Sequence, residues 1–534
     1  MKLNRIYVEE YKLLKKFTID FHESTNSQYR ASCRFLIGQN GSGKSALLEV
    51  ISLIFTRIMQ DESPGFRFQI DYSIMLSGRE TKISVWNLEG PLTYSIDGSN
   101  QDMQTNPFSD RQEYHPTKIL AQSTGPNNML DDVLLQTPED ALISDVFDYI
   151  SDPQHEVEDA AGLDRLLSKI ERLHEDPRYL FINGETALYV IITLCVFSDI
   201  SSDPELNRIY CRKRKKLFDL VGNFTPVSFS LSGNDGKIAS RFGKESGSIE
   251  REFMKLVYSE QESGSLPLYD FVSRTLTQLN GEIKQVFTQS STHHYRRNAV
   301  FRLEQDPNFS HFNYFHKNIS QATTPLSFLS SLIYAKRMGL LEQAELAFKL
   351  KGSDVIFTSE NLSDGEYLWL AHLGILLLMS CEDNILLLLD EPDVHLNEAW
   401  NVNFINYLNE FISLEDTAAS HEVVIATHSS MILTDVDPKQ LYQFKLILDN
   451  GQPRSEIKST RISTFGANLG EISKQIFGTG GIIGSYAEEL IDEAFRLADE
   501  ENNYDKLKQL QDMLGPGYHY FRVSNRLLEL EEKD

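Results

Sequence analysis

The segment Gly38-Gln39-Asn40-Gly41-Ser42-Gly43-Lys44-Ser45 restricts this chain more than any other. It fits the pattern G-x-x-x-x-G-K-[ST], and the apolar run Cys33 to Ile37 before it reads as the strand that must feed such a loop. Glycines let backbone N–H groups approach phosphates, and a helix from about Lys44 to Phe55 points its positive end at them. Gly38, Asn40, Gly41, Ser42, Gly43, Lys44, Ser45 and Ala46 are therefore the candidate ATP-binding residues. Lys44 would neutralise charge on the β- and γ-phosphates, and Ser45 would hold Mg²⁺. A glycine turn with no ligand is the plain alternative, but it leaves the eight-residue match and both flanks unexplained.

Further along the chain, other segments end in groups suited to phosphate chemistry. Ile385 to Leu389 is short and continuously apolar, as in a buried parallel strand, and it runs into Asp390-Glu391-Pro392. Asp390 would reach Mg²⁺ and Glu391 would polarise the attacking water, because phosphoryl transfer needs charge neutralisation and an oriented nucleophile. Leu362-Ser363-Asp364-Gly365-Glu366 opens the apolar stretch Tyr367 to Met379, so its serine and glycine would sit at a helix start. Val423 to Thr427 is another buried-strand pattern, and it delivers His428, whose imidazole can change protonation near neutral pH. Lys118-Ile119-Leu120-Ala121-Gln122 is strand-like and ends in glutamine, which makes Gln122 a candidate for the Mg²⁺ and water contact.

Taken in chain order, the motifs resemble the ABC ATPase superfamily. The implied fold is α/β: an ABC-type P-loop head with a mixed sheet, a large helical insertion and a helical C-terminal tail. The resemblance also implies that Leu362, Ser363, Asp364, Gly365 and Glu366 stand for the LSGGQ signature. That signature, with Asp393, would reach the γ-phosphate of ATP held by a second copy in a head-to-tail dimer. Asp364 replaces one glycine of the signature and Glu366 its glutamine. His428 would be the switch histidine.

A long stretch separates Lys44 from Leu362, more than one small helical subdomain needs. SMC and RecN proteins place a coiled coil there. Here Pro153, Pro177, Pro204, Pro226, Pro267 and Pro307 interrupt any sustained heptads, so a compact helical lobe is expected. That resembles the AAA_21 type of ABC ATPase from bacterial defence operons, and within it the PtuA-type ATPases of Septu and retron anti-phage systems. The supporting residues are Leu3 to Lys12, the merged LSDGE form, and Thr464 to Asn468 leading into Ile472 and Ile476-Phe477-Gly478. The resemblance implies an HNH nuclease of PtuB type as partner, with a retron reverse transcriptase and its DNA–RNA hybrid as further ones. It is compatible with oligomers beyond the dimer. Val394-His395-Leu396-Asn397-Glu398 departs from the Leu-His-Pro that relatives commonly carry after the DEP element.

The expected organisation is lobe I over 1–130, the helical insertion over 131–325, lobe II over 326–450 and the tail over 451–534. The four cysteines, Cys33, Cys195, Cys211 and Cys381, show no CxxC spacing, so neither a disulfide framework nor a zinc site follows. No signal peptide is apparent, and the longest apolar run is too short to span a bilayer, so a cytoplasmic location and no membrane partner are expected. A net charge of −26 excludes an extended nucleic-acid coat, leaving two local basic candidates, Arg212 to Lys216 and His293 to Arg297. Solvated surface is the default for both, and the first could equally hold an acidic subunit. Three competing functions remain: a RecF- or SMC-like repair ATPase on duplex DNA, a transporter ATPase, and an autonomous nuclease.

Overall fold

The computed structural model describes residues 1–22, 31–59, 63–101, 112–123, 130, 178–197, 200–234, 296–302, 324–337, 341–394, 396–414, 420–449, 451–458, 463–478, 483–500 and 504–531. They form two units, Met1–Phe465 and Gly466–Asp534. Strands of the first unit are β1 (Lys2–Tyr11), β2 (Leu14–Asp20), β3 (Ser32–Gly38), β4 (Phe68–Leu76), β5 (Arg79–Trp86), β6 (Thr93–Ile96), β7 (Ser99–Gln101), β8 (Ile119–Ser123) and β9 (Tyr179–Ile182). They continue with β10 (Phe224–Asn234), β11 (Arg296–Arg302), β12 (Leu341–Leu350), β13 (Ile356–Thr358), β14 (Leu386–Asp390), β15 (Glu422–Ala426), β16 (Leu441–Asp449) and β17 (Gln452–Lys458).

The central sheet runs β17-β16-β3-β15-β14-β8-β9, parallel throughout except for the β16–β17 hairpin at one edge. Parallel strands covered on both faces read as unbroken apolar runs, and Leu386 to Leu389 and Val423 to Ala426 are accordingly buried. A second sheet, β2-β1-β4-β5-β6-β7, is antiparallel and shows the alternating burial of a sheet with one wet face. The helix Lys44–Ile58 lies between the two sheets, and its Leu47, Val50, Ile51, Ile54 and Phe55 share one core with residues of both. The fold is thus α/β with a mixed central sheet, as expected.

On the other face of the central sheet lies the helix Asp364–Met379, packed with Ala187–Val196 and Glu398–Phe411. Ala187–Val196 is buried all round, as an apolar helix without a polar side must be. Gly374 permits its close approach, because a Cβ there would stand 2.7 Å from Leu194 Cδ1.

The described residues of 131–325 are not helical alone. Tyr179–Ile182 extends the central sheet as its edge strand, and β10 and β11 join β12 and β13 in a four-stranded antiparallel sheet. A four-residue apolar run carries too little periodicity to be told from a helix, and Pro226 sits at a register shift of β10 rather than ending it. Tyr269 to Val286, a partly apolar stretch of the insertion, lies outside the described residues.

The hairpin strand β17 belongs to the head, so the second unit begins after the expected boundary at 451. The tail helices Ser485–Glu500, Asp505–Met513 and Tyr518–Glu531 share a core of Ala494, Ala498, Leu507, Val523 and Leu527. Phe495, Tyr504, Leu510 and Leu514 pack against that core.

Candidate active site

The C-terminal ends of β3, β14 and β15, neighbours in the central sheet, converge on one place, the usual crevice of a parallel sheet. Gly38 closes β3 at φ 144°, and Gly41 and Gly43 follow at 71° and 102°, all values that side chains disfavour. Space matters as much as torsion here. A Cβ on Gly38 would stand 2.4 Å from the Phe444 carbonyl oxygen, and one on Gly43 would stand 2.3 Å from Ser455 Oγ. Ser455 in turn donates to the Ser42 carbonyl at 2.7 Å, so the β16–β17 hairpin braces the loop. Asn40 and Gly41 are exposed, while Ser42, Lys44 and Ala46 are buried.

Lys44 Nζ donates to the carbonyls of Gly38 at 3.0 Å and Gln39 at 3.1 Å. Burial lowers its pKa to about 8, outweighing the pull of Glu391, Asp390 and Asp393. Ser45 Oγ donates to Asp390 Oδ1 at 3.1 Å, which joins the P-loop helix to the end of β14. Burial raises Asp390 to about 6, with help from the charges of Glu391 and Asp393 and against the bond from Ser45. Three crowded carboxylates beside one cation leave negative charge for a divalent ion to neutralise. Among the described residues no group of three or more His, Cys, Asp or Glu side chains forms a metal cage. A Mg²⁺ held by Ser45 and Asp390 would take its remaining oxygens from phosphate and water, as that ion prefers.

Glu391 adopts φ 52°, a left-handed backbone for a non-glycine residue, and its N–H donates to Ala426 O at 2.8 Å. This turn presents its carboxylate to His428, with Nε2 3.1 Å from Oε1. Burial and the Lys44 charge lower the His428 pKa, against the pull of Glu391. Asp393 accepts from Thr427 Oγ1 at 2.6 Å, and burial raises its pKa. That bond ties the β14 turn to the β15 turn.

Ser363 is the N-cap of the helix Asp364–Met379 in a reciprocal capping box. Its Oγ accepts from Glu366 N at 3.3 Å, while Glu366 Oε2 receives Ser363 N–H at 2.9 Å and its hydroxyl at 2.7 Å. Ser363 and Asp364 are exposed, and Leu362, Gly365 and Glu366 are half-buried. None of the five is among the partners of Lys44, Ser45, Asp390 or Glu391 named above. Val394 is 52 % exposed, His395 lies outside the described residues, and Asn397 caps Glu398–Phe411 by accepting from Trp400 N at 2.9 Å.

Gln122 is not brought to this site. Side chains alternate along a strand, and Ser123, not Gln122, is the register partner of Asp390 on β8. Ile119 and Ala121 face the P-loop helix core, whereas Gln122 faces Trp369 on the opposite side of the sheet. Strand-end position alone could not resolve a one-residue offset, which exchanges the two faces.

The basic run has an internal use that the sequence did not suggest. On the helix Pro204–Val221, Lys213 Nζ donates to the carbonyls of Glu410 and of Ser413, the latter at 2.6 Å, and so holds the end of Glu398–Phe411. Arg214 does the same for Ala187–Val196, donating to Leu194 O at 2.9 Å and Phe197 O at 2.5 Å. Cations at helix C-termini satisfy orphan carbonyls and the dipole together. Lys216 pairs with Glu410, leaving Arg212 and Lys215 as the outward members. Of the other basic candidate, His293 to Tyr295 lie outside the described residues.

Residues 1–118 match the family model described as the AAA ATPase domain. The matched stretch contains the Gly38 to Ser45 loop and the helix Lys44–Ile58. Over 480 residues it is 22% identical to the Retron Vc95 probable ATPase of Vibrio cholerae serotype O1 biovar El Tor, spanning 85% of this chain and 76% of that protein. Among solved structures it is similar to an SMC head bound to the C-winged helix domain of ScpA (12% identity, TM-score 0.35, 86% of this chain and 98% of that one). It is also similar to the SMC head domain from Thermotoga maritima (11%, 0.32, 86% and 100%) and to the recombination mediator protein RecF-ATPrS (14%, 0.29, 85% and 97%). At these scores the fold assignment rests on the sheet order and the motif geometry instead. Among the described residues no helix is long and apolar enough to cross a membrane.

Proposed function

We propose that this protein binds ATP with Mg²⁺ and hydrolyses it at a site completed by a second copy, and that nucleotide state gates a partner nuclease in anti-phage defence. One observation carries the reading: Lys44, Ser45, Asp390, Glu391 and His428 meet at the C-terminal edge of one parallel sheet, within hydrogen-bonding reach of one another or through their charges. Lys44 would bind the β- and γ-phosphates, Ser45 and Asp390 would orient Mg²⁺, Glu391 would hold the attacking water, and His428 would set the position of Glu391. The exposed Ser363 and the half-buried Gly365 would face the partner's γ-phosphate. Glu366, which replaces the signature glutamine, would then have to release the Ser363 hydroxyl.

The defence role is supported by the likeness to a retron ATPase and by the PtuA-type motifs, with an HNH nuclease of PtuB type, a reverse transcriptase and its DNA–RNA hybrid as the partners sought. The repair alternative loses its main basic candidate, since Lys213, Arg214 and Lys216 are engaged within the head.

Mixing subunits tests the shared site. Lys44→Ala and Ser363→Arg should each be inactive alone, and their mixture should regain partial ATPase activity, because one heterodimer site keeps both groups. Full activity of Ser363→Arg alone, or no recovery on mixing, contradicts a shared site. Affinity purification from the native host tests the role. A co-purifying HNH protein supports gating, whereas an ATPase alone with salt-sensitive duplex binding supports repair.

A further inference from the structure

Beneath the Asp390-Glu391-Pro392 turn, on the face of the sheet away from the P-loop, lies a cavity of about 10 Å³ lined by Gln122, Trp369, His372, Leu389, Pro392 and Phe404, among others. Its walls are mostly apolar, yet two of the residues lining it carry buried polar atoms without a partner. Gln122 is 2 % exposed and Trp369 1 %, and neither the Gln122 amide atoms nor Trp369 Nε1 has a hydrogen-bond partner among the described residues. Leaving such groups unsatisfied is costly, and a cavity of this size admits about one water.

We infer that Gln122 and Trp369 hold one buried water, and that Gln122 is a positioning residue tying the signature helix to the turn that carries Glu391. The connection is short at both ends. Gln122 is the register partner of Leu389, next to Asp390, and Pro392 follows Glu391 directly. Trp369 lies on the helix that Ser363 caps, and its ring stacks on Trp400 at 5.9 Å, on the helix that follows the Asp393 turn. Wherever the signature helix moves, the water and the Gln122 amide carry that displacement to the floor under Glu391. A water with two or three polar partners has a defined place, which an apolar filling would lack.

This inference rests on the proposed hydrolysis, and the test separates the two. Turnover, KM for ATP and melting temperature are measured on the full chain as wild type, Gln122→Leu and Trp369→Phe, with Lys44→Ala as the binding control. Gln122→Leu should lower kcat at least about tenfold with KM changed less than about twofold. Its melting temperature should be equal or higher, because an orphan amide has been removed. An unchanged kcat in folded Gln122→Leu overturns the inference alone. A wild type that does not hydrolyse ATP overturns both. If Gln122→Leu does not fold, Trp369→Phe carries the same expectation for kcat and KM. A high-resolution crystal structure with a dry cavity overturns the water.

Discussion

Strand β3 carries one buried cation within its length and delivers another just beyond its end, and the two are treated in opposite ways. Arg34 is 2 % exposed and its Nε lies 3.1 Å from Glu422, itself fully buried on β15. The same guanidinium donates to the His22 carbonyl and lies 5.7 Å from the Phe21 ring centre. Lys44 faces three carboxylates, yet its nearest bonds go to loop carbonyls, and burial pushes Lys44 and Asp390 both toward neutrality. The first pair, closed through Arg34 Nε and Glu422 Oε1, links two neighbouring strands. The second is left short of neutralising partners, the condition in which added phosphate and Mg²⁺ gain most. Buried charge alone therefore does not distinguish structure from site; the shift of the cation does, raised for Arg34 and lowered for Lys44.

The largest effect should come from within the open cluster. Glu391→Gln is expected to slow hydrolysis by about two orders of magnitude or more while ATP still binds, read as turnover against equilibrium binding. Unchanged turnover removes Glu391 from the reaction. The closed pair should break differently. Arg34→Met leaves Glu422 buried without its partner and should cost about 3–5 kcal/mol in denaturant unfolding, whereas Arg34→Met with Glu422→Leu should recover most of it. A double variant as unstable as the single one would mean that the pair is worth more than its packing.

Asp390→Asn sharpens the contrast. The folded pKa of about 6 exceeds the ordinary 3.8, so the folded state holds its proton more tightly and loses stability as pH rises between those values. At pH 7 the ionised group costs up to about 3 kcal/mol, and removing it should raise the melting temperature while Mg²⁺-dependent nucleotide binding is lost. A lower melting temperature would show that Asp390 is paired after all.

The last effect is spread over several pH units and concerns acid. Burial lowers His115 to about 3 and His421 to about 4. Unfolded histidines take up protons below about pH 6.5, so each should remove up to about 1.4 kcal/mol of stability per pH unit below that, continuing down to its folded value. His421→Gln should flatten that slope. An unaltered slope would assign acid lability to the carboxylates.

The open cluster was legible because its chemistry is local. The Gly38 to Ser45 loop, the Leu386 to Asp390 strand and the strand before His428 each carry their function at a chain segment's end, and the sheet merely aligns those ends. The closed pair was not legible, since Arg34 sits inside an apolar run and its partner lies far along the chain on β15. Lys213 and Arg214 were misread for the same reason: a basic run does not reveal that the carbonyls it caps belong to other helices. Gln122 failed by one residue, because the sequence marks the end of a strand more surely than which face a side chain takes. Strands β9 to β11 escaped notice because edge and insertion strands lack the long periodicity that marks a helix.

The most direct test of the open cluster is equilibrium titration of wild type and Lys44→Ala with ATP and Mg²⁺. Wild type should bind with a saturable, Mg²⁺-dependent isotherm, and Lys44→Ala should lose at least about a hundredfold in affinity while keeping its melting temperature or raising it. Equal affinity in the two proteins would place the nucleotide, if any, somewhere other than the loop at the end of β3.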